Sequence, residues 1–158
     1  MIFRHALPEE APQVAAMFRD LALHIQKTSR DPYWDFPDFP VEMAIPAVEE
    51  YIREPERAAI VAQEGDELVG MVLLEVVGCH MPLSSHSRIG YIAAGFVKQG
   101  SRRKGVMKGL DEKTQEFFRS LGIRFVEVNY LPENTGAKEA WNALGYGCFR
   151  EQARKQLF

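Results

Sequence analysis

The chain has 158 residues, 46% of them hydrophobic and 26% charged, with a net charge of −3. That balance suits one globular domain over 1–158 and argues against disorder or a broad basic face, so nucleic acid is not an expected partner. Cys79 and Cys148 make no metal or redox spacing, and no long apolar stretch follows Met1-Ile2-Phe3-Arg4-His5. The expectations are a reduced, cytoplasmic setting with no metal, no signal peptide and no membrane contact.

In chain order, Ile2 to Ala6 reads as a short strand, and Pro8-Glu9-Glu10 opens a helix with proline early and acid in the first turn, as the helix dipole prefers. Val14, Phe18, Leu21 and Ile25 give that helix an apolar stripe. Thr28 to Pro40 reads as a loop and Val41 to Arg53 as a second helix, interrupted near Pro46. Arg57 to Gln63 and Leu68 to Val77 form two strands across the hairpin signal Glu64-Gly65-Asp66-Glu67. After a loop over Gly78 to Ser87 come a strand, Arg88 to Val97, a basic segment and a helix. Ile123 to Asn129 is a further strand, Thr135 to Leu144 a helix, and Tyr146 to Phe158 one or two last short strands. The sum is an α/β fold of the α+β kind, with a mixed, mostly antiparallel sheet and helices on both faces.

The segment after the fourth strand is the most informative. Gln99-Gly-Ser-Arg-Arg-Lys-Gly-Val106 places three cations where a helix begins, the end that already carries roughly +0.5 of an elementary charge. Free N–H groups and adjacent Arg and Lys side chains there make a phosphate cradle; the alternative is a solvated basic loop. A Walker loop is excluded, because Val106 and Met107 stand where it needs Lys and Ser or Thr. Arg102 to Gly109 also lacks the glycines of a dinucleotide fingerprint.

Arg102-Arg103-Lys104-Gly105-Val106 resembles the Arg/Gln-x-x-Gly-x-Gly/Ala pyrophosphate loop of the GNAT superfamily of N-acetyltransferases through its fifth position. Asn134, Ala137, Trp141, Gly145 and Tyr146 match the later family pattern Asn-x-x-Ala-x-x-x-Tyr-x-x-x-Gly-Phe, with Trp141 at the Tyr position. The resemblance implies acetyl-CoA as donor, direct transfer to an amine in a ternary complex, and a cofactor cleft where the fourth and fifth strands splay. It implies pyrophosphate on the N–H groups of Arg103 to Lys108, and pantetheine along the backbone of Phe96 and Val97. The oxyanion donor is then a backbone N–H at or near Val97, and Asn134 is a ligand contact, a helix cap, or both. Two positions depart from the pattern: Met107 replaces a small residue, and Trp141 replaces a possible thiolate acid. Tyr130 and Tyr146 are candidate substitutes. These departures keep a second reading open, a non-catalytic CoA-binding sensor or partner-binding module.

A general base must deprotonate the acceptor ammonium. Glu127, sharing a strand face with Phe125 and Asn129, is the first candidate, and Glu75, His80 and His86 follow; the alternative for Glu127 is pairing with Arg or exposure at a sheet margin. The acceptor, a small molecule or a peptide amine, is expected beside Asp31 to Pro40, with Tyr33, Trp34 and Asp35 as contacts. Aromatic faces with nearby carboxylates suit a cationic amine, although Trp34, Phe36 and Phe39 can equally pin the loop to the core. Dimers are common in the superfamily, so a homodimer is compatible with the resemblance.

Overall fold

The computed structural model describes residues 1–158. Five strands lie in the order β1 (Ile2–His5), β2 (Arg57–Glu64), β3 (Glu67–Gly78), β4 (Arg88–Val97) and β5 (Val126–Val128). The first three pairings are antiparallel and β4 runs parallel to β5. The helices are α1 (Ala11–Ser29), α2 (Val41–Arg53), α3 (Val106–Ser120) and α4 (Thr135–Ala143).

Both sheet faces are buried, and period-2 alternation sorts the strand residues between them. Ala59, Val61, Met71, Leu73, Ala94 and Phe96 pack under α1 and α2, with Val14, Met17 and Val48. Ala58, Ile60, Val72, Leu74 and Ile92 pack on the other face against Val106, Leu110 and Phe118 of α3 and Trp141 of α4. Leu110 and Phe118 are fully buried, each contributing about 1.5–3 kcal/mol by removal from water. At Gly109 a Cβ would overlap the Phe3 ring, so this glycine sets how closely α3 approaches β1. At the start of the chain, Arg4 of β1 forks onto the Glu10 carboxylate at 2.7 and 2.8 Å. Glu10 also accepts from the Leu7 N–H. The hydrogen bond from Arg4, more than any other influence, holds the Glu10 carboxyl below its usual range.

Three sequence expectations are corrected. Helix α2 runs unbroken through Pro46: the proline lies inside the helix on its exposed side, while buried Ala44 and Val48 hold the helix on the sheet. Strand β5 spans Val126–Val128 rather than Ile123 to Asn129, because the register with β4 is limited to those three residues, although the Phe125 carbonyl just before them still accepts from Gly90 N–H. Tyr146 to Phe158 forms no strand; its distal contact is made by a side chain, Arg154 on Asp31, rather than by a backbone ladder.

Candidate active site

Arg102–Gly105 forms consecutive turns leading into α3, with Arg103 at φ 61° and Gly105 at φ 79°. These left-handed residues bend the chain so that successive N–H groups become available, the arrangement of an anion nest. The N–H groups from Arg103 through Lys108 have no hydrogen-bond partner in the protein. Arg103, Lys104 and Lys108 are exposed beside them. Arg102 behaves differently: its Nε donates to Val97 O at 3.0 Å, and its guanidinium lies 5.9 Å from the centre of the Phe96 ring. Its charge also reaches His24 of α1, whose pKa is lowered first by burial and then by Arg102. Arg102 therefore braces the loop against the end of β4.

Strand β4 supplies an open edge. Pairing with β5 ends at Ile92↔Val128, and the β3 register skips Ala93, leaving a bulge. Lys98 N–H donates to Val69 O. Alternation along the ladder then turns the backbone groups of Gly95 and Val97 away from β3, and those of Phe96 toward it. The outward-facing N–H groups on this edge are thus those of Gly95 and Val97, whereas the backbone of Phe96, expected to lie on the edge with Val97, faces β3. Below this edge Trp141 is 6% exposed. A Cβ at Gly95 would stand 3.1 Å from its indole and 3.5 Å from Met107 Cε. Met107 therefore points inward under β4, away from the loop surface. The Tyr146 hydroxyl donates to buried Asp111 at 2.6 Å. Burial, then that bond, holds the phenol far above its ordinary pKa, so Tyr146 is not a free acid. Asn134 Oδ1 accepts from Ala137 N–H at 3.1 Å and caps α4.

The carboxylates come together through strand register. Arg57↔Glu75, Glu75↔Tyr91 and Tyr91↔Glu127 are successive partners across β2, β3, β4 and β5, which makes one polar row on a single face. Glu75, His80, Tyr91, Glu127 and Arg150 line a cavity of about 230 Å³ there. Glu75 lies 3.7 Å from Arg57, which also binds Glu50 at 2.6 Å. The neighbouring Tyr51 phenol is pushed up to about 12, first by burial and then by the Glu75 charge. Glu127 is half-buried and has no ion-pair or hydrogen-bond partner. Asn129 Nδ2 donates to the Tyr91 hydroxyl at 3.2 Å.

Other expected residues sit elsewhere. His86 packs edge-on against Phe125, 5.0 Å between ring centres, outside this cavity. Phe36 and Phe39 pin the α1–α2 loop through Phe18. Tyr33, Trp34 and Asp35 do not line the cavity; Tyr33 is 79% exposed and carries the Arg154 guanidinium 4.3 Å above its ring. Sequence reasoning missed Tyr51, Arg57, Tyr91 and Arg150. For Arg57 and Tyr91 the available signal was a polar residue on an otherwise largely apolar strand; Tyr51 on α2 and Arg150 on the last segment offered none.

A model of the acetyltransferase (GNAT) family matches residues 22–146. Among solved structures, a tetramutant protein from Bacillus halodurans superposes with a TM-score of 0.84 at 16% identity, covering 99% of this chain and 100% of its own. The aminoglycoside acetyltransferase AAC(6')-Iy, in complex with a CoA-linked acetylneamine bisubstrate analogue, gives 0.79 at 17% identity, covering 99% and 97%. An aminoglycoside antibiotic 6'-N-acetyltransferase from Acinetobacter haemolyticus gives 0.78 at 11%, covering 100% and 99%. These likenesses are of fold. No curated protein matches the sequence, and no helix is long and apolar enough to cross a membrane.

Proposed function

The chain belongs to the acetyltransferase (GNAT) family, and from that premise we propose that it transfers the acetyl group of acetyl-CoA to a primary amine. The observation that carries the reading is a continuity along one strand. The partnerless N–H groups of Arg103 to Lys108 lead to the open Gly95–Val97 edge, and that edge ends at the Ala93 bulge, two residues from Tyr91 in the acidic row.

In this reading the CoA pyrophosphate sits on the loop N–H groups, with Arg103, Lys104 and Lys108 adding charge. Gly95 and Val97 pair with the pantetheine amides, and an N–H on this edge holds the developing oxyanion. Glu127 takes the ammonium proton, directly or through one water. The free amine attacks the thioester carbon, the new C–N bond forms and the C–S bond breaks. The thiol, with a pKa of roughly 8.5, leaves as thiolate near neutral pH without a strong acid beside it. The second proton, shed by the nitrogen as the C–S bond breaks, goes to the departing thiolate or to solvent, and the proton on Glu127 passes to solvent.

One observation favours a second reading, CoA binding without turnover. Tyr146 is committed to Asp111, and the Trp141 indole donates a hydrogen bond but supplies no usable acidity. Free-thiol release from acetyl-CoA across a panel of primary amines separates the two. Acceptor-dependent release supports transfer; calorimetric CoA binding with no release across the panel supports the module.

A further inference from the structure

The acceptor cavity contains a charge that the transfer chemistry leaves unused. Arg150 lines it together with Glu75, Glu127, His80 and Tyr91. Arginines on β2, on β4 and further along the same last segment have carboxylate partners: Arg57 with Glu50 and Glu75, Arg88 with Glu56, and Arg154 with Asp31. Arg150 has none; its guanidinium rests only 5.7 Å from the centre of the adjacent Phe149 ring. Glu127 is likewise unpaired, although both line the same cavity. Two opposite charges facing one space without closing on each other leave room for a molecule that carries both signs.

The segment bearing Arg150 is held at two points. On one side the Phe149 ring lies 6.2 Å from His80. On the other, Arg154 forks onto Asp31 at 2.8 and 3.2 Å and covers the Tyr33 ring. Asp31 is itself fixed as the cap of the following turn, accepting from Tyr33 N–H. Arg154 is thus a positioning residue for Arg150. The cavity, about 230 Å³, is smaller than the roughly 300–1,000 Å³ of drug-sized sites, which suits a compact acceptor.

We infer that the acceptor carries an anionic group, carboxylate or phosphate, beside its reacting amine, with Arg150 holding the anion while Glu127 faces the amine. An all-cationic acceptor, such as the aminoglycosides named for two of the structural neighbours, would set a cation against Arg150. This inference rests on the acetyltransferase reading.

The test uses the whole chain with acetyl-CoA and matched acceptors sharing one amine: α-amino acids, their carboxamides and the corresponding aminoalkylphosphonates, with a polyamine alongside. The expected result is at least tenfold higher kcat/KM for an acid-bearing member than for its amide, carried by KM, as a charge-assisted hydrogen bond supplies. The carboxylate and phosphonate arms show which anion is read. Arg150→Gln should collapse the acid-to-amide ratio to within about threefold, Arg150→Lys should restore part of it, and Arg154→Gln should lower it less. Melting temperature and CoA affinity confirm that each variant is folded. Amides or polyamine used as well as the acids, with a ratio unmoved by Arg150→Gln, would overturn the inference and leave the acetyltransferase reading standing. CoA binding with no acceptor turned over would overturn that reading, and the inference with it.

Discussion

The ends of the candidate site proposed for the cofactor and for the acceptor are built by different means. From Val97 to Lys108 one unbroken stretch supplies the open strand edge, the left-handed bends and the helix N-terminus, so the chemistry depends on local backbone geometry. The cavity proposed for the acceptor draws Glu75, His80, Tyr91, Glu127 and Arg150 from three strands, a loop and the last segment of the chain; sheet register makes the three strand residues neighbours, and the packing of Phe149 near His80 brings in the other two. A site of the first kind tolerates changes in remote packing as long as its loop and helix stay in place. A site of the second kind is exposed to any shift in pairing, since a slip of one residue turns every side chain of a strand to the other face.

The sharpest way to separate the two ends is Glu127→Gln. The amide preserves shape and removes the proton acceptor, so kcat should fall about 10²–10⁴-fold while calorimetry shows CoA affinity within twofold of the parent. A fall below fivefold at saturating acceptor would remove Glu127 from the base role and move it to Glu75.

Gly109→Ala asks how far the cofactor end depends on packing behind it. The added methyl overlaps Phe3 and must push α3 away from β1, at a cost of about 1–3 kcal/mol. The melting temperature should drop by roughly 2–4 °C for each kcal/mol, with CoA weakened alongside. An unchanged melting temperature would mean that Phe3 turns aside freely.

At the loop itself, Arg103→Ala combined with Lys104→Ala should weaken CoA about tenfold at low salt, with the difference shrinking as salt is raised. Arg102→Ala should instead act through Val97, whose carbonyl it releases. Its effect on affinity should be smaller and nearly salt-independent. A salt-sensitive loss as large as that of the double variant would reassign Arg102 to the phosphates.

The smallest effect is expected at the acceptor end, from Tyr51. Its folded pKa is about 12, above the ordinary value of 10, so between these values the folded state holds more protons than the unfolded. Stability from this group is complete below pH 10 and declines as pH rises toward 12. Tyr51→Phe should flatten that alkaline decline in thermal melts, and an unaltered slope would place the burden on other groups.

Legibility in the sequence follows the same division. Helix stripes such as Val14-Phe18-Leu21 and the basic run before Val106 are periodic or contiguous, and both are visible without tertiary information. Glu127 was visible as an acid within a short strand, but Tyr91 and Arg57 were not, because nothing local states that they oppose Glu75. Tyr146 to Phe158 resembled a strand in its placement after α4, yet a strand is defined by its partner, and this segment is tied down by Arg154 instead. Met107 and Trp141 were legible as departures from a pattern; that both converge on Gly95 required the folded β4.

That convergence gives the protein an optical handle. The chain has two tryptophans, and Trp141 is the buried one, its indole packed on Gly95 directly under the edge where β4 loses its partner. Its emission should sit at shorter wavelength than that of half-buried Trp34, and filling the edge above it should change its intensity. Titration of the unmodified chain with CoA, read by intrinsic fluorescence with Trp34→Phe as the single-tryptophan control, then reports occupancy of the cleft in real time without a label.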